Sequence, residues 1–477
     1  MMSKDENSTK IVATVGPASS NYDMLKKLVI AGVDIFRLNF SHGKHEAHQE
    51  VINHIMRLNE ELGTHVGILA DLQGPKLRVG NIKDEPLMLD KGDVITFVNS
   101  PCEGTKEAMY MSYQQLAEDV NPGETVLVDD GKIRLKVLET NRKDTVKLEV
   151  THGGPIRSNK GVNLPNTKVK LPALTEKDIR DLDYILTQPV NWIALSFVRS
   201  AKDLDELWRR ITAKGHPAKV ISKIEKPEAL ENIDEIIKNS NGIMIARGDL
   251  GIETPIESLA MTQKSIIAKC IKRSRPVIVA TQMMESMMEN PTPTRPEVTD
   301  VANAVLDGCD AIMCSGETAM GKFPVETIET MGRIIHEVET NDLYQLRFPE
   351  PSPNSSTFHS DVVCYSAVDV AERINAKVIT GITVSGYTAF KVSSRRPKRK
   401  ICIFSGQVHI LATLNLVWGV KGYYYDKFTT TDETIEDNIN ILKATGEVGP
   451  GDVVVNIGSM PLAKRLRTNM LRVTVVE

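Results

Sequence analysis

Between Lys10 and about Thr340, short apolar runs of β type alternate with stretches whose apolar positions recur at helical spacing. That alternation is the pattern of parallel strands covered by helices. Eight runs stand out: Lys10–Val15, Asp34–Phe40, Val66–Leu72, Trp192–Phe197, Val220–Glu225, Ile243–Ala246, Val277–Thr281 and Ala311–Cys314. Helical patterns such as Glu228–Lys238 and Ile256–Ser274 lie between them. Eight successive strand–helix units predict an α/β chain built on a (β/α)8 TIM barrel. An open doubly wound sheet shares the alternation, but no G-x-G-x-x-G turn follows the first strand, where a dinucleotide fold carries it.

The rhythm breaks twice. From about Gly74 to Lys170 helix-period segments nearly vanish, and β-rich pieces such as DVITFVNS and ETVLVDDGKIRLKVLET are divided by turn residues, so a small β domain is inserted after the third strand. After Thr340 comes the Pro- and Ser-rich segment FPEPSPNSS, and then a renewed strand–helix pattern through AKVITGITVSG, KRKICIFS, GDVVVNIGS and LRVTVV, which predicts a third, α/β domain. The expected layout is 1–73 with 171–342 as the barrel, 74–170 as the insertion and 343–477 as the C-terminal domain.

Composition excludes more than it identifies. The 477 residues, 41% hydrophobic and 25% charged, are those of an ordinary globular protein of two to four domains. A net charge of -4 with interspersed signs gives no global attraction to nucleic acid or to an anionic membrane. No run approaches the length of a spanning helix and the polar opening MMSKDENSTK lacks the apolar core of a secretory signal, so a cytoplasmic location is expected. Six scattered cysteines without a C-x-x-C pair read as buried thiols. The cluster Met283, Met284, Met287, Met288 reads as core.

Active sites of (β/α)8 barrels sit at the C-terminal ends of the strands. There the sequence places Arg37 to Gly43 after strand two, Asp71 to Lys76 after strand three, and Lys223-Ile224-Glu225 on strand five. Arg247-Gly248-Asp249, Thr281-Gln282 and Ser315-Gly316-Glu317-Thr318 follow strands six, seven and eight. Lys223 and Glu225 are two apart on a strand and so share a face. Glu225 with Asp249 makes an oxygen-only pair suited to Mg2+ or Mn2+ with positions left for substrate oxygens. Lys223 and Arg37 supply positive charge for a phosphoryl group, and the turn at Gly248 offers backbone N–H groups to a carboxylate. Singly, each of these residues has an ordinary structural explanation; together at one rim they point to phosphoryl transfer on an acid.

At RLNFSHG, DLQGPKLRVG, GVNLP, ISKIE, MIARGDLG, ATQMMESM, PTRPEVTDVANAVLDG and SGETAMGKFPVET the chain resembles the pyruvate kinase family, in order and over nearly its whole length. The resemblance implies transfer of phosphate from phosphoenolpyruvate to ADP, with Glu225 and Asp249 holding the divalent ion. It implies that Lys223 stabilises the phosphoryl group and the enolate, that Arg37 steadies the phosphate, and that Gly248, Asp249 and Thr281 line the substrate pocket. Protonation of the enolate is expected near Thr281, through Ser315 and Glu317. Asn39, His42, Arg78, Lys160 and Lys177 match nucleotide contacts, and the inserted domain matches a small β-barrel lid. The family is usually homotetrameric.

Two departures from the family pattern matter. Relatives often carry Thr and Glu where this chain has Leu72 and Lys76, and bind potassium near the equivalents of Asn39, Ser41 and Asp71; here the Lys76 ammonium stands where the ion was useful, so potassium is not expected to be required. In the loop resembling the family's effector site, Thr383, Ser385, Gly386 and Thr388 offer hydroxyls and N–H groups, but Tyr387 replaces a frequent Arg, so a sugar monophosphate or AMP is expected in place of a bisphosphate. The basic run Arg395–Lys400 is either an anion contact or a solvated turn. Two rivals remain open at this point: a divalent-metal barrel lyase or aldolase acting on pyruvate-like enolates, and a catalytically inactive regulatory relative.

Overall fold

The computed structural model describes residues 7–341, 350–427, 429–460 and 467–477. Eight parallel strands close into a barrel: Lys10–Thr14, Ile35–Asn39, Gly67–Asp71, Trp192–Leu195, Lys219–Ile224, Gly242–Ala246, Val277–Ala280 and Ala311–Cys314. Each pairs with its neighbour in sequence, and the eighth returns to the first through Lys10 opposite Ala311. The expected runs match these strands to within a residue or two at most ends. The legibility has a physical basis: helices cover the outer face and side chains fill the inner one, so both faces are apolar.

Inside the barrel the period-two alternation sorts side chains into layers. Val12, Ile35, Leu69, Trp192, Ile221, Met244, Ile278 and Ala311 fill the lower part, all fully buried. Two residues further along the same strands come Thr14, Arg37, Asp71, Ala194, Lys223, Ala246, Ala280 and Met313. The polar rim is thus the continuation of the apolar interior.

The helical expectations are corrected in detail. Glu228–Lys238 is two short helices, Pro227–Glu231 and Ile233–Asn239. They part at Asn232, whose side-chain amide donates to Arg199 O at 3.1 Å and Glu228 O at 2.9 Å and replaces a continuous helical ladder. Ile256–Ser274 begins as a 3-10 turn, Ile256–Ser258, and continues as the α-helix Leu259–Lys272.

The insertion holds a six-stranded sheet, mostly antiparallel, and a two-stranded ribbon of Leu87–Leu89 with Gly154–Ile156. Both share one core that includes Ile95, Phe97, Leu135, Val137 and Leu148. The strand order puts Val162–Asn163 and Met109–Tyr110 at the two edges, and the Arg78–Val79 segment bridges both, pairing with Gly161 and Met111, so the edges are linked as the expected small β-barrel requires. The C-terminal domain is a sheet of four parallel strands, Val420–Tyr424, Lys400–Ser405, Val378–Ile382 and Val453–Gly458, with Met470–Val475 antiparallel at one edge. The expected boundary at 342–343 lies outside the described residues, and among those described no helix is long and apolar enough to cross a membrane.

The C-terminal domain also closes the base of the barrel. Leu416 joins the barrel's inner core, and the Trp192 indole N–H donates to Thr413 O at 3.2 Å. Trp192→Ala is expected to lower the urea-unfolding midpoint by a cost of about 3–5 kcal/mol, since the cavity it leaves is walled by both domains. An unchanged midpoint would show that this indole does not hold the base closed.

Candidate active site

At the C-terminal rim, four charged side chains are packed almost out of reach of solvent. The Arg37 guanidinium binds Asp71 Oδ2 through Nε and Nη2, each at 2.7 Å, and donates through Nη1 to Thr14 Oγ1 at 3.0 Å. The Lys223 ammonium lies 3.3 Å from Asp71 Oδ1 and 3.1 Å from Glu225 Oε1, and donates to Ser196 Oγ at 2.7 Å. Asp71 and Glu225 are each 1% exposed. Burial alone would push Asp71 up, but the charges of Lys223 and Arg37 outweigh it and hold the carboxyl below the usual range. Burial opposes the Lys223 charge too, and Asp71 and Glu225 overcome it, so the ammonium is kept above its ordinary value.

Glu225 goes the other way. Burial comes first, and the nearby Asp249 charge adds to it against the opposing pull of Lys223, so Glu225 is raised above the usual carboxylate range. One of its oxygens accepts from Phe197 N at 2.7 Å. Asp249, in the first turn of the helix Arg247–Glu253, is half-buried and has no side-chain hydrogen bond or ion pair among the described residues. Two carboxylates that raise each other's energy, one of them without a partner, fit a divalent cation and leave places for substrate oxygens.

Gly248 packs against Thr281: a Cβ on the glycine would stand 2.8 Å from Thr281 Cγ2. Thr281 has φ 76 and Gln282 φ 55, a region that costs a β-branched residue about 1–3 kcal/mol and that functional sites retain. The strain is held by Arg247. Its guanidinium pairs with both oxygens of Asp300 at 2.7 Å and donates to Thr281 O at 2.7 Å. Glu317 pins the neighbouring turn, its two oxygens accepting from Met284 N at 3.1 Å and Ser315 N at 2.7 Å. Both Glu317 oxygens are therefore occupied by amides, while Ser315 lies half-buried beside them.

The expected nucleotide contacts divide. Burial, and then the charges of Arg78, Lys76, Arg37 and Lys177, depress the His42 imidazole, so these five side chains converge on one electropositive region. Arg78 donates to Asn159 O at 2.9 Å, and Lys177 pairs with Asp181 at 2.6 Å. Asn39 turns its carbonyl to Ser41 N at 3.1 Å. Lys160 instead pairs with Asp129 of the insertion at 2.8 Å. Lys76 is half-buried and its ammonium has no hydrogen bond or ion pair among the described residues. Between insertion and barrel opens a cleft of about 440 Å3 lined by Lys76, Asn163, Phe197, Arg199, Lys226 and Asp249, among others. Asn163 of the insertion donates to Glu253 at 2.9 Å, and Lys226 pairs with the same carboxylate. Glu253 is one turn beyond Asp249, so the inserted domain and the carboxylate-bearing helix are mechanically joined.

In the C-terminal loop the hydroxyls face inward more than expected. Thr383 Oγ1 accepts from Gly386 N at 2.9 Å, Thr388 Oγ1 and Thr468 Oγ1 are 2.8 Å apart, and Tyr387 donates to Asp361. Ser385 is exposed.

The sequence reading gave no role to Ser196, Phe197, Thr14 or Arg247. Ser196 and Phe197 lie just past strand four, and the strand-end rule that found Lys223 reaches them as well. Arg247's role had no such signal, because it depends on Asp300, 53 positions away.

Comparison with known proteins places these features. Residues 6–328 match the family model "Pyruvate kinase, barrel domain" and residues 361–474 match "Pyruvate kinase, alpha/beta domain". A pyruvate kinase of Corynebacterium glutamicum is 41% identical over 465 residues, covering 98% of this chain and 97% of its own. One of Agrobacterium vitis is 41% identical over 476 residues, covering 99% of each. The crystal structure of a pyruvate kinase from Cryptosporidium parvum superposes with a TM-score of 0.91 at 34% identity, covering 99% of this chain and 97% of that one. By its barrel, its C-terminal domain and its full-length relatives, this chain belongs to the pyruvate kinase family.

Proposed function

We propose that the protein transfers the phosphoryl group of phosphoenolpyruvate to ADP, yielding pyruvate and ATP. The observation that carries this is the Lys223 ammonium, held between Asp71, Glu225 and Ser196 at the barrel rim beside the unpartnered carboxylate of Asp249. An ADP oxygen attacks phosphorus, the P–O bond to the enol oxygen breaks, and the electron pair left on that oxygen is stabilised by Lys223. Arg37, fixed by Asp71 and Thr14, supports the phosphate in transit. The carbon of the enolate then takes a proton on the side of Thr281, where Ser315 is the available hydroxyl and Glu317 orients the turn.

Glu225 and Asp249 would hold a divalent ion, Mg2+ or Mn2+, which supplies Lewis-acid stabilisation to substrate oxygens when bound. Arg37, His42, Lys76, Arg78 and Lys177 form the phosphate-binding wall for nucleotide, with Asn39 beside them; Lys160 reaches it when the insertion closes as a lid and excludes water. The proposed division is 1–73 with 171–342, 74–170, and 343–477. A cytoplasmic homotetramer, with Ser385 and the backbone from Thr383 to Thr388 meeting a sugar monophosphate or AMP, completes the reading. A barrel lyase on the same enolate would not depend on ADP, and an inactive relative would not retain Arg37, Lys223, Glu225, Asp249 and Thr281 together.

Three measurements test this reading. Lys223→Met is expected to reduce kcat by about 10²–10³-fold or more with the circular dichroism spectrum preserved; retained turnover with phosphoenolpyruvate and ADP refutes the charge-stabilising role. Turnover in tetramethylammonium chloride should equal that in potassium chloride, because the Lys76 ammonium stands in for the ion; several-fold activation by potassium would overturn the substitution. Because Glu225 is raised, protons compete with the metal below that raised value, and Mn2+ affinity measured by calorimetry should climb as pH rises through it. A pH-independent affinity would exclude Glu225 as a ligand.

A further inference from the structure

Asp181 holds two side chains at once, one from its own helix and one from the start of another. Lys177 and Asp181 lie four apart on the helix Glu176–Ile185 and so share a face. The Lys177 ammonium donates to Phe40 O and pairs with Asp181 Oδ2 at 2.6 Å. The other Asp181 oxygen accepts from Nε2 of His45, the first residue of the helix His45–Leu62, at 2.7 Å. The His45 ring lies flat on Tyr184, with centroids 4.3 Å apart and planes 8° apart, and the Tyr184 hydroxyl donates to His45 O at 3.2 Å. Asp181 is buried, whereas the Lys177 side chain is 40% exposed.

The backbone under each partner is itself fixed. The helix that carries Lys177 starts at a capping box, in which Thr175 Oγ1 accepts from Asp178 N at 3.1 Å and Asp178 Oδ2 accepts from Thr175 N at 2.9 Å. Asp178 Oδ1 also accepts from Gly74 N at 3.1 Å, where the insertion leaves the barrel. On the other side, the buried Phe40 ring stacks on His48 at 4.2 Å, and His48 Nε2 donates to His42 O at 3.0 Å. An ammonium has three N–H groups. Two are spent on Phe40 O and Asp181, so tetrahedral geometry sets the direction of the third on a side chain still open to solvent. A free lysine loses its rotamer freedom when an anion binds it; this one has given it up beforehand.

We propose, resting on the reading of Lys177 as a nucleotide contact, that Asp181 and His45 are positioning residues: Asp181, locked in rotation by His45, holds the Lys177 ammonium in the pose that receives a phosphate oxygen of ADP. Charge and orientation make opposite demands here. The Asp181 carboxylate is an anion close to where an anion binds, so if charge alone mattered its removal would tighten ADP binding. With orientation decisive, removal weakens it, because the ligand must then order the lysine itself.

The test is ADP affinity measured by calorimetry in the presence of Mg2+, in wild type, Asp181→Asn, His45→Phe, Lys177→Met and the double variant of Asp181→Asn with Lys177→Met. Asp181→Asn should weaken ADP by about three- to tenfold, and His45→Phe, which keeps a ring for Tyr184 but loses the N–H, should act in the same direction and less. Lys177→Met should weaken ADP by about tenfold or more. In that background Asp181→Asn should cost nothing further, since no ammonium remains to be oriented, and the KM for phosphoenolpyruvate should hold in Asp181→Asn. Unchanged or tighter ADP binding in Asp181→Asn, alongside weakened binding in Lys177→Met, overturns the positioning role and leaves the nucleotide reading intact. Unchanged binding in Lys177→Met removes that reading and the positioning role with it. A loss in Asp181→Asn that persists undiminished in the Lys177→Met background, or that comes with an equal rise in the KM for phosphoenolpyruvate, is general structural damage and overturns the proposal as well.

Discussion

The candidate site depends on one buried anion whose two oxygens are taken up by cations from two other strands. Asp71, at the end of the third barrel strand, receives Arg37 on one oxygen and Lys223 on the other while almost fully buried. Two cations brought this close in a dry barrel would repel and lose hydration together; a shared carboxylate between them offsets both penalties. It also fixes them in space, because the guanidinium fork and the ammonium approach opposite oxygens of a side chain that is itself immobile. The charges offered to a phosphoryl group are thereby set in advance, and little reorganisation is left for the moment of reaction. Glu225 is the counterpart, an acid whose compensation by Lys223 is left incomplete, as the proposed divalent-ion site requires.

The parts around this centre are rigid for different reasons. Arg37, Asp71 and Lys223 are carried by strands, whose register places Arg37 beside Leu69 and Lys223 beside Met244. Thr281 lies on a turn with positive φ and Gly248 in the first turn of the helix Arg247–Glu253, and the Arg247–Asp300 pair braces the close contact between them. The inserted domain is tied in by one side chain, for Asn163 and Lys226 meet on Glu253, on the helix that carries Asp249. Lid position and carboxylate position are therefore linked through one buried side chain.

Most of the architecture was legible in the chain because buried parallel strands are apolar on both faces, and because the polar residues that end them appear abruptly. Lys223 and Glu225 were readable from spacing alone. What escaped was partnership. Asp71 appeared only as a former cation ligand, since nothing local shows that its oxygens face Arg37 and Lys223 from other strands. Lys160 was expected on nucleotide, but Asp129, brought near by the fold of the insertion, holds it in this structure. The hydroxyls of Thr383 and Thr388 were expected to face a ligand, and both are engaged within the domain. The helix break at Asn232 likewise depends on Arg199 O, a tertiary acceptor.

The closed base of the barrel has a consequence for the order in which the chain is made. Trp192 donates to a carbonyl 221 positions later, and Leu416 completes the inner core of strands that end at Cys314. A ribosome that has released all eight strands has still not delivered the residues that seal their interior. The nascent barrel must wait with an open floor, so its final consolidation coincides with the emergence of the C-terminal domain. The two share one core at that floor, although the domains look separable along the sequence.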